Sequence, residues 1–253
     1  IGYDNNAMAY GSNAIGYHNA ANGADSSAIG LGNIANGEYS NAFGNNNTVD
    51  GKESSAFGVF NETIGTRSTA IGWSNNIEVD SDGVWVSSYE SGENSTAVGY
   101  NNVSTGADSS AIGYQNYSAG DRSSAIGYYN TAVANETVAI GAYNNAQTAS
   151  STAIGIQNTS SGASSSAIGY QNYSIGADSS AFGRTNTSEG ASSVAFGNSN
   201  YTEGKNSSAV GFGNYTVGDN SNAFGWNNYT EGANSSAFGW NNDTEGANSS
   251  AFG

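Results

Sequence analysis

A large apolar residue followed by glycine returns every 14 residues along this chain, and no other feature limits the possible folds so tightly. Taking that apolar residue as an anchor, the series runs Ile1, Ile15, Ile29, Phe43, Phe57, Ile71 and a degenerate Trp85, then resumes at Val98 and continues to Phe252. All steps are 14 residues except the one from 85 to 98, which is 13. Such a repeat means one supersecondary unit stacked on copies of itself. It fills residues 1–253 as one continuous array with an irregular coil at about 73–97, leaving no room for a second domain or a linker. The chain opens and closes within the motif, so it is expected to be a segment of a longer fibre.

Fourteen residues cannot hold a helical hairpin, but they can hold two short strands and two tight turns. The expected fold is therefore all-β: a parallel β-solenoid with two short strands per 14-residue coil, stacked at about 4.8 Å. Each column of the repeat then has a physical task. Strand alternation puts the anchor and the residue two before it on one face, and the size of the anchors predicts that this face is interior. Glycine after the anchor and a second glycine seven residues later, as at Gly113 and Gly120, predict a positive φ or a close backbone approach. Three residues after the first glycine stands an asparagine in almost every coil, including Asn116, Asn130, Asn144, Asn158 and Asn172. Stacked in register, these side chains can form an amide ladder or cap the turns. Two residues further on, a column of small residues reads as the inward position of the second strand. Aromatic residues cluster just after the first glycine, at Tyr100, Tyr114, Tyr128, Tyr170, Trp226 and Trp240 among others, and are expected to point outward as a contact stripe.

Composition narrows the function. Leucine occurs once, at Leu31; proline and cysteine are absent, and the formal net charge is −16. Without cysteine there is no disulfide or thiolate metal site. No apolar run is long enough to form a membrane-spanning helix. The five basic residues are scattered, which disfavours nucleic acid as a partner.

The pattern S-x-A-I-G followed by N-x-[AST]-x-G resembles the head repeat of YadA-like trimeric autotransporter adhesins. The segments Thr137-Val138-Ala139-Ile140-Gly141 and Ser193-Val194-Ala195-Phe196-Gly197 come nearest to the family's S-V-A-I-G. The resemblance implies a left-handed parallel β-roll, three chains per rod and display outside the cell for adhesion. The sequence departs from the family pattern where its Val is mostly Ser, Thr or Asn and where Phe replaces many Ile anchors.

Other motifs carry weaker signals. The single histidine, His18, sits in a variable turn position without the partners catalysis needs, so no enzyme and no cofactor are expected. Glu78, Asp80 and Asp82 alternate like a calcium loop, but position 89, where the closing acid belongs, is Tyr, so a bulge with solvated carboxylates is the expectation. The motif N-x-[ST] occurs sixteen times. Ten copies fall in the asparagine column, which carries Asn even in coils lacking the motif, so packing explains them. Asn94, Asn206, Asn234 and Asn248 lie in a variable corner and are the better candidate glycosylation sites. An ice-binding surface is disfavoured by the tyrosines on the outward columns.

The sequence thus predicts an extracellular, cell-surface repeat fibre, the head or shaft of an adhesin that attaches multivalently to an extracellular surface or matrix ligand, glycan among the candidates. A self-assembling structural filament or viral fibre is the alternative. A thin core predicts self-association, with a homotrimer expected and two candidate contact faces: the aromatic stripe and the alanine column (Ala111, Ala125, Ala167, Ala181).

Overall fold

The computed structural model describes residues 2–79, 85–88 and 91–253. It is an all-β parallel solenoid of about 17 coils, each some 14 residues long, with no helix among the described residues. The backbone falls into two compact units, Ile1–Asn130 and Thr131–Gly253.

In the first unit each coil has a five-residue strand, such as Ser110–Tyr114, and a two-residue strand, such as Tyr117–Ser118. Outside the interruption described below, each strand pairs in parallel with its counterpart in the neighbouring coil, residue for residue: Ala111 lies beside Ala125, Ile112 beside Ile126 and Tyr114 beside Tyr128. The second unit repeats this, with Thr152–Ile156 on Ser166–Tyr170 and Thr159–Ser160 on Tyr173–Ser174. Register is held because a slip of one residue would exchange the inner and outer faces of each strand.

The faces are the reverse of the expectation. The alanine before each anchor is the interior residue, with no exposed surface at Ala28, Ala111, Ala125, Ala167, Ala181 and their equivalents. The anchors point outward, 36 % exposed at Ile112 and 55 % at Phe196. The residue two before the anchor, as at Ser110, shares that outer face and is half-buried. Cross-section explains the reversal. Two strands joined by tight corners leave an interior wide enough for little more than alanine, serine, threonine and the asparagine amide; among the described residues the largest fully buried aliphatic side chain is Val49. The alanine column therefore lines the core and is no contact face.

The two glycine columns have different causes. Gly113 has a φ of 121°, and a Cβ there would lie 2.1 Å from the Gly127 carbonyl oxygen of the next coil. Gly106, in the second column, needs no positive φ; its constraint is proximity, with a Cβ falling 2.0 Å from the Gly120 oxygen. The left-handed corners are carried by other residues. Gln115 (φ 51°) and Asp108 (φ 56°) turn the two corners of one coil, and Tyr129, Arg122, Phe60 and even Thr185 do so elsewhere.

The one break in the period is an excursion rather than a coil. Strand Thr69–Trp73 pairs directly with Thr96–Tyr100, placing Ile71 beside Val98 in phase. Between them Ile77–Val79 pairs antiparallel with Trp85–Ser88, with Val79 beside Trp85. Trp85, assigned to the anchor series by spacing, therefore lies off the stacked column.

Candidate functional site

The interior is held by polar ladders. In the first unit Asn116 Nδ2 donates to Asn102 Oδ1 (2.9 Å), to the Ile112 carbonyl (3.0 Å) and to the Gly127 carbonyl of the next coil (2.8 Å). Its own Oδ1 accepts from the backbone N–H and the Nδ2 of Asn130, both at 3.0 Å. Asn158 and Asn172 do the same in the second unit, where Asn158 in turn donates to Asn144 Oδ1 (2.9 Å). All five ladder asparagines are buried. Their polar atoms are satisfied by neighbours in the coil and the stack, which is what makes burial of amides affordable in so thin a core.

A second ladder runs through hydroxyls. Ser118 and Ser123 face each other across the coil at 2.6 Å, as do Ser160 and Ser165. Where the facing residue is alanine, at Ala21 and Ala35, the Oγ atoms of Ser26 and Ser40 have no hydrogen-bond partner among the described residues.

The outer face of the long strand brings anchors and aromatics together. Ile112 and Tyr114 both point outward, with Gly113 between them. Along the stack Tyr100, Tyr114 and Tyr128 lie ring on ring at 4.9 and 5.1 Å, and Tyr129 meets Tyr128 edge-on at 4.6 Å. In the second unit Phe212 stacks on Trp226 at 4.3 Å and Trp226 tilts against Trp240 at 6.3 Å, while the Arg184 guanidinium sits 5.8 Å over Tyr170. Parallel anchor rings, such as Phe224 and Phe238 at 5.1 Å, continue the apolar stripe. In these stacks the rings cover each other's faces, leaving edges and hydroxyls for anything that binds.

The short strand carries its own stack, Tyr201, Tyr215 and Tyr229, at 4.6 and 5.3 Å. Burial and a hydrogen bond to Glu189 push the Tyr201 phenol well above its ordinary range. Burial, with Glu231 nearby, shifts Tyr229 in the same direction.

The remaining candidates are dispersed. His18 is an exposed corner residue whose Nδ1 lies 2.8 Å from Asp4 Oδ2. Asp80 and Asp82 lie outside the described residues, and Glu78 falls in the antiparallel excursion. Among the described residues no three His, Cys, Asp or Glu side chains converge on a metal-sized site. Asn94, Asn206, Asn234 and Asn248 are exposed, left-handed corner residues. The anchor stripe is the feature that pattern reasoning misplaced. The signal that could have found it is internal: alanine is constant in its column, whereas the anchor varies among Ile, Val and Phe.

Coils of this length, with stacked asparagines inside and an outward Ile/Phe column, define a β-roll built for repetition, and among the described residues no metal-ligating side chains converge. The chain belongs to the YadA head domain repeat family, whose repeat matches eight segments: 21–47, 50–75, 91–116, 118–144, 149–172, 174–200, 203–228 and 231–253. No curated protein matches the chain significantly. The family and fold are structural and adhesin-type rather than enzymatic.

Proposed function

We propose that this chain forms the head or shaft of an extracellular, surface-attached adhesive fibre, with three copies lying side by side. The observation that carries the reading is the outward anchor column. A soluble monomer rarely leaves a contiguous row of Ile and Phe in water. Here that row sits on a parallel sheet and repeats from coil to coil, so a second and third copy in the same register would cover it. The short-strand columns, with Tyr173, Tyr201, Tyr215 and Tyr229, then remain free to meet a ligand. Each contact is weak, and their regular repetition adds them into avidity.

Light scattering of the purified chain tests this directly. A trimer is expected. Replacing the outward Ile112 and Ile126 by Glu should give folded monomers, because these side chains stand outside the coil. Ala111→Glu should instead unfold its coil. A wild-type chain that is monomeric at micromolar concentration defeats the trimer, and open-ended polymers that grow with concentration favour the filament.

A further inference from the structure

The sixteen N-x-[ST] motifs look equivalent in sequence, but the solenoid sorts them by geometry. In the ladder motifs the asparagine points inward, and alternation returns the residue two later to the interior as well. Asn172 and Ser174 are both without exposed surface, and Asn172 Nδ2 is engaged with Asn158 Oδ1 (3.0 Å), the Ile168 carbonyl (3.0 Å) and the Gly183 carbonyl (2.8 Å). A substituent on that nitrogen has no space and would break the stack.

Corner motifs run in the opposite phase. Asn234 is a left-handed corner residue (φ 57°) and is exposed; Ser235 turns inward and donates to the Gly232 carbonyl; Ser236 opens the long strand and faces outward. The acceptor amide and the hydroxyl two residues on, which together define the motif, thus share the solvent side. The same outward, inward, outward order holds for Asn94-Ser95-Thr96 and Asn206-Ser207-Ser208, and Asn248-Ser249-Ser250 is open throughout. It holds as well for Asn46 (φ 52°), with Asn47 buried and Thr48 outward. The side chains of Asn94 and Asn206 make only exposed bonds, to Asp108 Oδ1 (2.9 Å) and Asn220 Oδ1 (3.3 Å), which water can replace. Asn135 fails the criterion, because its Thr137 is buried and donates to the Ala134 carbonyl (2.6 Å).

We propose that Asn46, Asn94, Asn206, Asn234 and Asn248 are acceptors of N-linked sugar on the folded solenoid, and that the ladder asparagines are not. The donor class is a nucleotide-activated hexose. The amide Nδ2 attacks the anomeric carbon, the bond from that carbon to the nucleoside diphosphate oxygen breaks, the diphosphate leaves, and the amide loses one proton to the transferase. The motif alone gives sixteen candidates; the coil geometry reduces them to these five.

The test incubates the folded chain with UDP-glucose and a sequon-specific N-glucosyltransferase chosen because it modifies synthetic peptides of all five corner sequences. Adducts are mapped by electron-transfer fragmentation, with the urea-unfolded chain as comparison. Hexose confined to the five corners in the folded chain, spreading to Asn116, Asn158 and Asn172 after unfolding, is the expected result, and Asn234→Gln removes the adduct at that corner alone. Hexose on a ladder asparagine of the folded chain, or bare corners whose synthetic peptides are modified, overturns the proposal.

Discussion

Replacing Asn116 by Ala removes one rung of the ladder, and the cost can be worked from its contacts. The Ile112 and Gly127 carbonyls lose the Nδ2 donor that meets them at 3.0 and 2.8 Å. The Asn130 backbone N–H loses the acceptor it reaches at 3.0 Å. Each buried group left unpaired costs about 1–3 kcal/mol, and relaxation of the thin coil recovers part, so a loss of about 3–5 kcal/mol is expected. A solenoid behaves as a row of coupled repeats, so a single global unfolding energy is a poor readout. Amide hydrogen exchange resolves the effect locally. At about 1.4 kcal/mol per decade, a 3 kcal/mol loss should speed exchange at Asn130 by roughly a hundredfold. Exchange at Ala28 and Ala42, several coils away, should stay unchanged. Asn116→Asp is the sharper control: it keeps the shape but turns the donor into a second acceptor facing two carbonyls. It should be worse than Ala at neutral pH and recover on acidification, because only the protonated acid can donate. A protection change at Asn130 of less than about threefold in the Ala variant, equivalent to about 0.7 kcal/mol, would refute the view that the ladder holds the coils together.

Two further outcomes follow from strain and from titration. Thr185 is a β-branched residue in the left-handed region (φ 52°), so Thr185→Asn should stabilise its coil by up to about 1 kcal/mol, read as slower local exchange. The Tyr201, Tyr114 and Tyr229 phenols are all held above their ordinary range, mainly by burial, which favours the protonated form in the folded chain. Their contribution is complete below the ordinary phenol value and is lost as the pH rises beyond it. Thermal stability should therefore fall above about pH 10, with ultraviolet titration showing a late-ionising class of tyrosines.

The period, the strand count per coil and the asparagine column could all be read from spacing, because each depends only on one coil lying over the next. Which face was interior could not be read from residue size. The usual rule places Ile and Phe inside, but it presumes a core wide enough to take them. In these coils the corners set the width, and many of them do so with left-handed residues that favour no such conformation, such as Gln115, Tyr129 and Phe60. Nothing in those side chains announces a positive φ. The aromatic columns were legible as outward, but their stacking at 4.9 and 5.1 Å follows from the parallel register and not from any local motif. The corner sequons illustrate the same limit. Their phase relative to the ladder sequons depends on where the corner reverses the alternation, and this is why Asn46 escaped pattern reasoning.

The excursion between Asn76 and Ser91 shows how the stack tolerates an interruption, and that gives a last expected outcome. In a regular coil, Asp50 and Gly51 both donate their backbone N–H groups to the Thr63 carbonyl, at 2.8 and 3.2 Å. One coil on, Ile64 and Gly65 donate instead to the Ser91 hydroxyl, at 2.8 and 2.9 Å, so a side chain replaces the missing carbonyl. The Asn76 amide replaces a peptide group in the same way: its Nδ2 donates to the Glu62 carbonyl at 3.0 Å and its Oδ1 accepts from the Ser104 N–H at 2.9 Å. These two side chains join the coils on the short-strand side, where the detour interrupts the ladder, while the long strands Thr69–Trp73 and Thr96–Tyr100 still pair directly and the Asn102 N–H still reaches Asn75 Oδ1 at 3.0 Å. Asn76→Ala frees one carbonyl and one N–H, and Ser91→Ala frees two N–H groups, each substitution costing about 2–5 kcal/mol by the penalty for unpaired buried groups. Exchange should accelerate at Ser104 in the first variant and at Ile64 and Gly65 in the second, with the coils near Ala28 unaffected because repeats couple chiefly to their neighbours. Asn76→Gln should not rescue, since its longer side chain cannot hold both partners from the same backbone position. If either Ala variant leaves exchange at these amides at the wild-type rate, the splice is not what carries the ladder past the excursion.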